Sequence, residues 1–162
     1  MALQKEKTPM RSQSPEERKK NFKEVPLGYN IDEAINEANR CLQCPTAPCV
    51  TGCPVEVPIP QFIKAIKEND INKAIDIIKS KNNLPAICGR VCPQEEQCEK
   101  VCIMGKRNQP VAVGRLERFI GDRALDKVNR ETFTKDKNIS ITKKDGQKVA
   151  IVGSGPAGLT AA

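Results

Sequence analysis

Eight cysteines stand in two spaced sets, Cys41-x2-Cys44-x4-Cys49-x3-Cys53-Pro54 and Cys88-x3-Cys92-Pro93-x4-Cys98-x3-Cys102. Thiolates this close together on a loop can converge on one metal centre, which scattered structural cysteines need not do. Disulfides would require an oxidising compartment. Residues 1–9 hold no apolar signal core, and nothing in the chain approaches the ~20 apolar residues of a membrane span. The pattern therefore predicts a cytoplasmic, reducing setting, no membrane partner, and cysteines that bind metal.

Composition points the same way. Only 3% of the 162 residues are aromatic, with no Trp and one Tyr. So little large apolar surface fills a core of this size poorly, and other ties must help hold the fold. The net charge of +7 suggests nucleic acid until it is located. Residues 1–20 carry six Lys or Arg against three Glu, residues 127–148 carry seven against three, and residues 21–126 carry fourteen of each sign. The excess sits in a tail and a linker, while the cysteine-bearing body is neutral. A nucleic-acid binder should carry its basic patch on the folded part, with aromatics for stacking on single strands. Neither is present, so the two basic segments read as solvated and nucleic acid as no partner.

Hydrophobic periodicity places the cysteines between helices. Residues 1–20 are polar and predicted to be a disordered tail. Asn30 is an N-cap with Glu33 three residues on, a capping-box variant, and Ile31, Ala34, Ile35, Ala38 and Leu42 follow at helical spacing. Cys41 lands at the flank of that face, so the helix delivers the first thiol inward. Residues 41–60 form an irregular loop rich in Pro, Cys, Thr and Gly. Two short helices carry Ile59, Phe62, Ile63 and Ile66, then Ile71, Ala74, Ile75 and Ile78, with Asn69-Asp70 between them. After the second cysteine stretch a helix from about Val111 to Val128 bears the stripe Val113, Leu116, Ile120 and Ala124.

Zinc and iron–sulfur compete for the thiols. Structural zinc favours one CxxC pair meeting another, or a His pair, and this chain has no His and a single CxxC. The Cys-Pro steps at Cys53 and Cys92 match the bacterial ferredoxin run, whose last cysteine before Pro ligates the other cluster, so by analogy Cys53 joins the second centre. A zinc-stapled interaction module without a redox role stays as the alternative. Glu117 sits on the apolar face of its helix, where a carboxylate is costly unless paired or metal-bound. It is either the ion-pair partner of an arginine such as Arg40, Arg90 or Arg118, or an iron ligand. Nine candidates then compete for the eight positions of two four-iron clusters.

Several stretches resemble the N-terminal iron–sulfur domain of the NADPH-dependent glutamate synthase small (β) chain. That domain is shared with the large subunit of NADH-dependent ferredoxin:NADP oxidoreductase and with dihydropyrimidine dehydrogenase. The matching stretches are Asn21-Phe22-x-Glu24-Val25-x-Leu27-Gly28-Tyr29, Arg40-Cys41-Leu42-x-Cys44, Cys49-x3-Cys53-Pro54-Val55, Cys88-Gly89-Arg90-Val91-Cys92-Pro93 and Gly114-x-Leu116-Glu117-Arg118-Phe119. With the glycine run below they cover about residues 21–162. The resemblance implies a mainly α, alpha-helical ferredoxin-like domain with two 4Fe-4S clusters. It implies Cys41, Cys44, Cys49 and Cys102 as ligands of the first. Cys53, Cys92, Cys98 and Glu117 are implied for the second, with Cys88 outside both. Such interleaved ligand sets staple the two halves of the domain together and should make folding depend on cluster assembly.

Lys148-Val149-Ala150-Ile151-Val152 reads as a buried strand, and Gly153-Ser154-Gly155-Pro156-Ala157-Gly158 as a dinucleotide-binding turn that opens a helix. Residues 21–128 are thus predicted to be the helical iron–sulfur domain and residues 129–146 a charged linker. Residues 147–162 are predicted to begin a truncated Rossmann-type domain, with Gly153, Gly155 and Gly158 as an incomplete FAD fingerprint. On their own, residues 145–162 are expected to bind no flavin and to be disordered or packed out of place. The resemblance implies an oxidoreductase in which NADPH reduces FAD and electrons cross the clusters. The partners it implies are the chain's own FAD/NADPH-binding domain and a glutamate synthase large subunit or related redox subunit. Residues 1–148 show no general acid, base or nucleophile, so no catalytic residue is expected there.

Overall fold

A computed structural model describes residues 4–134 and 148–162. The fold is mainly α, as expected, with one small sheet among the described residues. In that sheet β1 (Arg11–Ser12) runs antiparallel to β2 (Pro26–Gly28), with α1 (Pro15–Arg18) between them. The helix α2 (Ile31–Ala38) starts where the cap predicts. Asn30 Oδ1 accepts from Glu33 N at 2.8 Å, and the Glu33 carboxylate accepts from Asn30 N at 2.7 Å. Each partner thereby satisfies a donor that the first turn leaves free.

The helices α4 (Ile59–Lys67) and α5 (Ile71–Lys79) form a hairpin. Asn69 makes the turn at φ +57°, a backbone state Asn tolerates better than most residues. Asp70 then caps α5 by accepting from Lys73 N at 3.0 Å. The predicted apolar stripes face inward: Ile59, Phe62, Ile63, Ile66, Ala74, Ile75 and Ile78 are buried. They meet Ala34 and Ala38 of α2 and the stripe Val113, Leu116, Ile120 and Ala124 of α7 (Val113–Thr134), all buried. Each large aliphatic or Phe side chain so buried contributes about 1.5–3 kcal/mol. α7 runs to Thr134 rather than stopping near Val128, because no Gly or Pro interrupts residues 128–134. The rest of the predicted linker, from residue 135, lies outside the described residues.

Periodicity missed two short helices, α3 (Pro48–Thr51) and α6 (Pro85–Val91), which carry Cys49 and Cys88. α6 packs against α7 with backbones almost touching. A Cβ on Gly121 would fall 2.3 Å from Ala86 N, and one on Gly89 would fall 2.4 Å from Arg118 N. This contact sets the distance between the loop of Cys92 and the face of α7 that bears Glu117.

The tail expected to be disordered instead packs on the body. Thr8 is buried, its N–H donates to Glu37 Oε2 at 2.6 Å, and its carbonyl accepts from Tyr29 Oη at 2.5 Å and Arg115 Nη1 at 2.9 Å. Lys7 pairs with Glu99. Composition shows a polar segment but not the buried charges that recruit its backbone. Chief among them are Glu37 and Arg40, 0% and 1% exposed, joined at 2.6 Å.

Residues 148–152, whose sequence reads as the first strand of a Rossmann-type domain, form no strand. Val149 and Val152 are exposed, and the only sheet among the described residues is β1–β2. Strand propensity is not enough without a neighbour to complete the ladder. The following helix does form, as α8 (Pro156–Ala161).

Removing one partner of a buried ion pair costs about 3–5 kcal/mol, because the other charge stays buried alone. Arg40→Met is expected to destabilise the chain by that amount in urea unfolding. A change within experimental error would assign Arg40 a minor role.

Candidate metal centres

Cys41 follows α2 and is fixed by what surrounds it. Arg40 is locked into the core, and Gln43 Nε2 donates to Cys41 Sγ at 3.3 Å and to Pro60 O at 2.9 Å. The chain then turns through Gln43 and Ala47, both at positive φ, into α3 and Cys49. The result is a small cavity of about 30 Å³, partly open to solvent. Cys41, Cys44, Cys49 and Cys102 line it together, with Ile59, Ile63, Met104 and Val113 behind them. Burial pushes the Cys49 thiol up to about 11, helped by the nearby Cys41 and Cys102. Cys41 is raised for the same first reason, with Cys102 and Cys44 adding to it.

A second group gathers where α6 meets α7. Burial raises Cys98 to about 12, with Glu99, Cys53 and Glu117 contributing. Burial likewise raises Cys92 to about 11, followed by the effects of Cys88, Glu117 and Cys53. Glu117 is 9% exposed, and desolvation pushes its carboxyl up to about 7 against one weak compensation, a hydrogen bond from Asn82. None of the three arginines weighed as its partner serves it. Arg40 pairs with Glu37, Arg90 with Glu24 and Asp122, and Arg118 with Glu24. Among the described residues no ion pair includes Glu117, so desolvation dominates its shift. Cys88 is half-buried beside Cys92, with its Sγ donating to Asn82 Oδ1 at 3.7 Å.

Thiols gathered in an apolar setting are the donors that an iron–sulfur cluster takes. Among the described residues no three Cys, Asp or Glu groups come close enough to hold one metal ion. A tetrahedral zinc with Zn–S of about 2.3 Å needs its sulfurs about 3.8 Å apart. A four-iron cluster offers each thiolate a separate iron and accepts a wider ring in an apolar setting.

Three supporting side chains were invisible to sequence pattern. Asn82 holds Glu117 Oε1 at 2.7 Å. Glu99, next to Cys98, accepts from Gly114 N at 3.2 Å and pairs with Lys7. Glu37 accepts from Ala112 N at 2.8 Å, just before α7. The turn Asn82-Asn83-Leu84-Pro85 has loop chemistry, the one local signal available.

At the glycine run, Gly153 has φ +111°, which other residues rarely adopt, and a Cβ on Gly158 would fall 2.2 Å from Gly153 O. Nothing lies within 4 Å of the place a Cβ would take on Gly155. Gly153 and Gly158 thus make a close turn at the start of α8, with no sheet beside it among the described residues.

A small helical domain whose thiols gather in two partly buried groups points to an iron–sulfur protein, and comparison with known proteins agrees. Residues 18–129 match the family described as dihydropyrimidine dehydrogenase domain II, 4Fe-4S cluster, and the chain belongs to it. The glutamate synthase [NADPH] small chain of Escherichia coli is 38% identical over 90% of this chain and 29% of its own length. The same-named chain of Azospirillum brasilense is 35% identical over 90% of this chain and 29% of its own. The E. coli NAD-dependent dihydropyrimidine dehydrogenase subunit PreT is 39% identical over 79% of this chain and 29% of its own. This chain thus spans less than a third of the length of these curated relatives. No helix among the described residues is long and apolar enough to cross a membrane.

Thiols must deprotonate to bind metal, and Cys49, Cys92 and Cys98 start with pKa values near 11, 11 and 12. Loading the metal-free chain with iron and sulfide is therefore expected to release protons, and to become more favourable as pH rises from 7 to 9. A pH-stat trace without acid release during loading would contradict this.

Proposed function

We propose that this chain is an electron-transfer domain of an oxidoreductase and holds two 4Fe-4S clusters. Cys41, Cys44, Cys49 and Cys102 ligate the first, and Cys53, Cys92, Cys98 and Glu117 the second, with Cys88 outside both. The observation that carries this reading is the crossing of the thiols. Cys102 shares a cavity with the first set, and Cys53 acts on Cys92 and Cys98 of the second. Bound clusters supply one-electron carriers, whose potentials depend on ligand type, hydrogen bonds to the ligands and exposure.

In the longer protein, residues 21–128 serve as the conducting domain and residues 147–162 begin the FAD- and NADPH-binding domain. Gly153, Gly155 and Gly158 then admit the flavin pyrophosphate. The glutamate synthase [NADPH] small chains and the NAD-dependent dihydropyrimidine dehydrogenase subunit among the relatives support a role in passing electrons from a reduced pyridine nucleotide. The partner is a glutamate synthase large subunit or a related redox subunit, in a cytoplasmic setting.

Anaerobically prepared protein is expected to be brown, with about eight iron and eight sulfide per chain. A colourless protein with zinc and no sulfide would overturn the proposal in favour of a zinc-stapled interaction module. Cys41→Ser and Cys102→Ser are expected to remove the same half of the iron, and Cys88→Ser none. Glu117→Ala is expected to perturb only the centre held by Cys53, Cys92 and Cys98. Unchanged spectra there would return Glu117 to an ordinary buried acid.

A further inference from the structure

Asn82 is buried in the loop between α5 and α6, and both polar atoms of its side chain are engaged. Nδ2 donates to Glu117 Oε1 at 2.7 Å. Oδ1 accepts from Leu84 N at 2.9 Å and from the Cys88 thiol at 3.7 Å. The bond to Leu84 is an Asx turn, a local structure that fixes the direction of the amide. One face of the amide is thereby tied to the start of α6, which carries Cys88 and leads into Cys92. The other face is tied to α7 through the carboxylate. Asn82 is the only hydrogen-bond partner of Glu117 among the described residues, which leaves Oε2 for another group.

We propose that Asn82 is the positioning residue of the second centre: it fixes the Glu117 carboxylate in the orientation in which it serves the metal. This inference rests on the ligand set proposed above. Groups that hydrogen-bond to metal ligands orient them and adjust their basicity. A neutral N–H donated to a carboxylate ligand withdraws charge from it and favours the reduced, more electron-rich cluster. Loss of that donor is expected to lower the potential of the second centre and leave the first alone.

The test is an EPR-monitored redox titration of the anaerobically loaded 162-residue chain. It compares wild type, Asn82→Ser, Glu117→Ala and the double variant, with iron content measured on each. Asn82→Ser keeps an acceptor for Leu84 N but is too short to reach Glu117. Asn82→Asp keeps size and turn and, ionised at alkaline pH, offers Glu117 no donor; it serves if the serine variant does not fold. Either variant is expected to retain full iron and to shift the EPR signal and potential of the second centre. A tenfold change in the redox equilibrium reads as a fall of about 59 mV. In the Glu117→Ala background Asn82→Ser is expected to add no further shift.

A shift from Glu117→Ala with none from either Asn82 variant overturns the role of Asn82 alone. An Asn82→Ser shift of equal size in both backgrounds does the same, because the effect then bypasses Glu117. No shift from Glu117→Ala overturns the ligand set itself, and this inference with it.

Discussion

The buried guanidinium of Arg40 is the point on which the rest of the structure depends. Taking such a charge out of water costs several kcal/mol unless its hydrogen-bonding capacity is filled. Here every N–H is used. Nε donates to Gln4 O, Nη1 to Glu37 Oε1 and Pro110 O, and Nη2 to Lys5 O and Gln109 O. The Glu37 carboxylate then collects Thr8 N and Ala112 N. Three separated pieces of chain meet at one pair of side chains: the N-terminal segment, the end of α2 and the approach to α7. The residue after Arg40 is Cys41, so the position of the first thiol is inherited from this junction.

The second group of side chains depends on a different kind of constraint, the close approach of two backbones. Gly89 and Gly121 let α6 settle against α7 at a separation that no side chain would permit. Asn82 spans the remaining gap at one end of α6, and Arg90, bonded to Glu24 and Asp122, closes the other. The apolar core contributes packing through α4, α5 and α7, while these polar bridges fix register.

Much of this was legible in the chain. Repeating isoleucines marked α4 and α5, the Asn30–Glu33 cap marked the start of α2, and a carboxylate among Val113, Leu116 and Ile120 marked Glu117 as out of place. Those signals are local and periodic. α3 and α6 are too short and too rich in Pro, Cys and Gly to show a period. The packing of residues 4–12 depends on charges at 37, 40 and 99, and the role of Asn82 on a carboxylate 35 positions away. No window of sequence contains those pairs.

The docking of residues 4–12 has a consequence for the order in which the chain takes shape during synthesis. Domains generally organise as units while the polypeptide emerges at ~5–20 residues per second. Residues 4–12 leave the ribosome well before Glu37, Arg40, Glu99 and Arg115, the groups that hold them. Made before the groups that hold them, they find their place only after those groups have emerged. Until α7 has emerged, the flank of Cys41 and the carboxylate beside Cys98 stand uncovered.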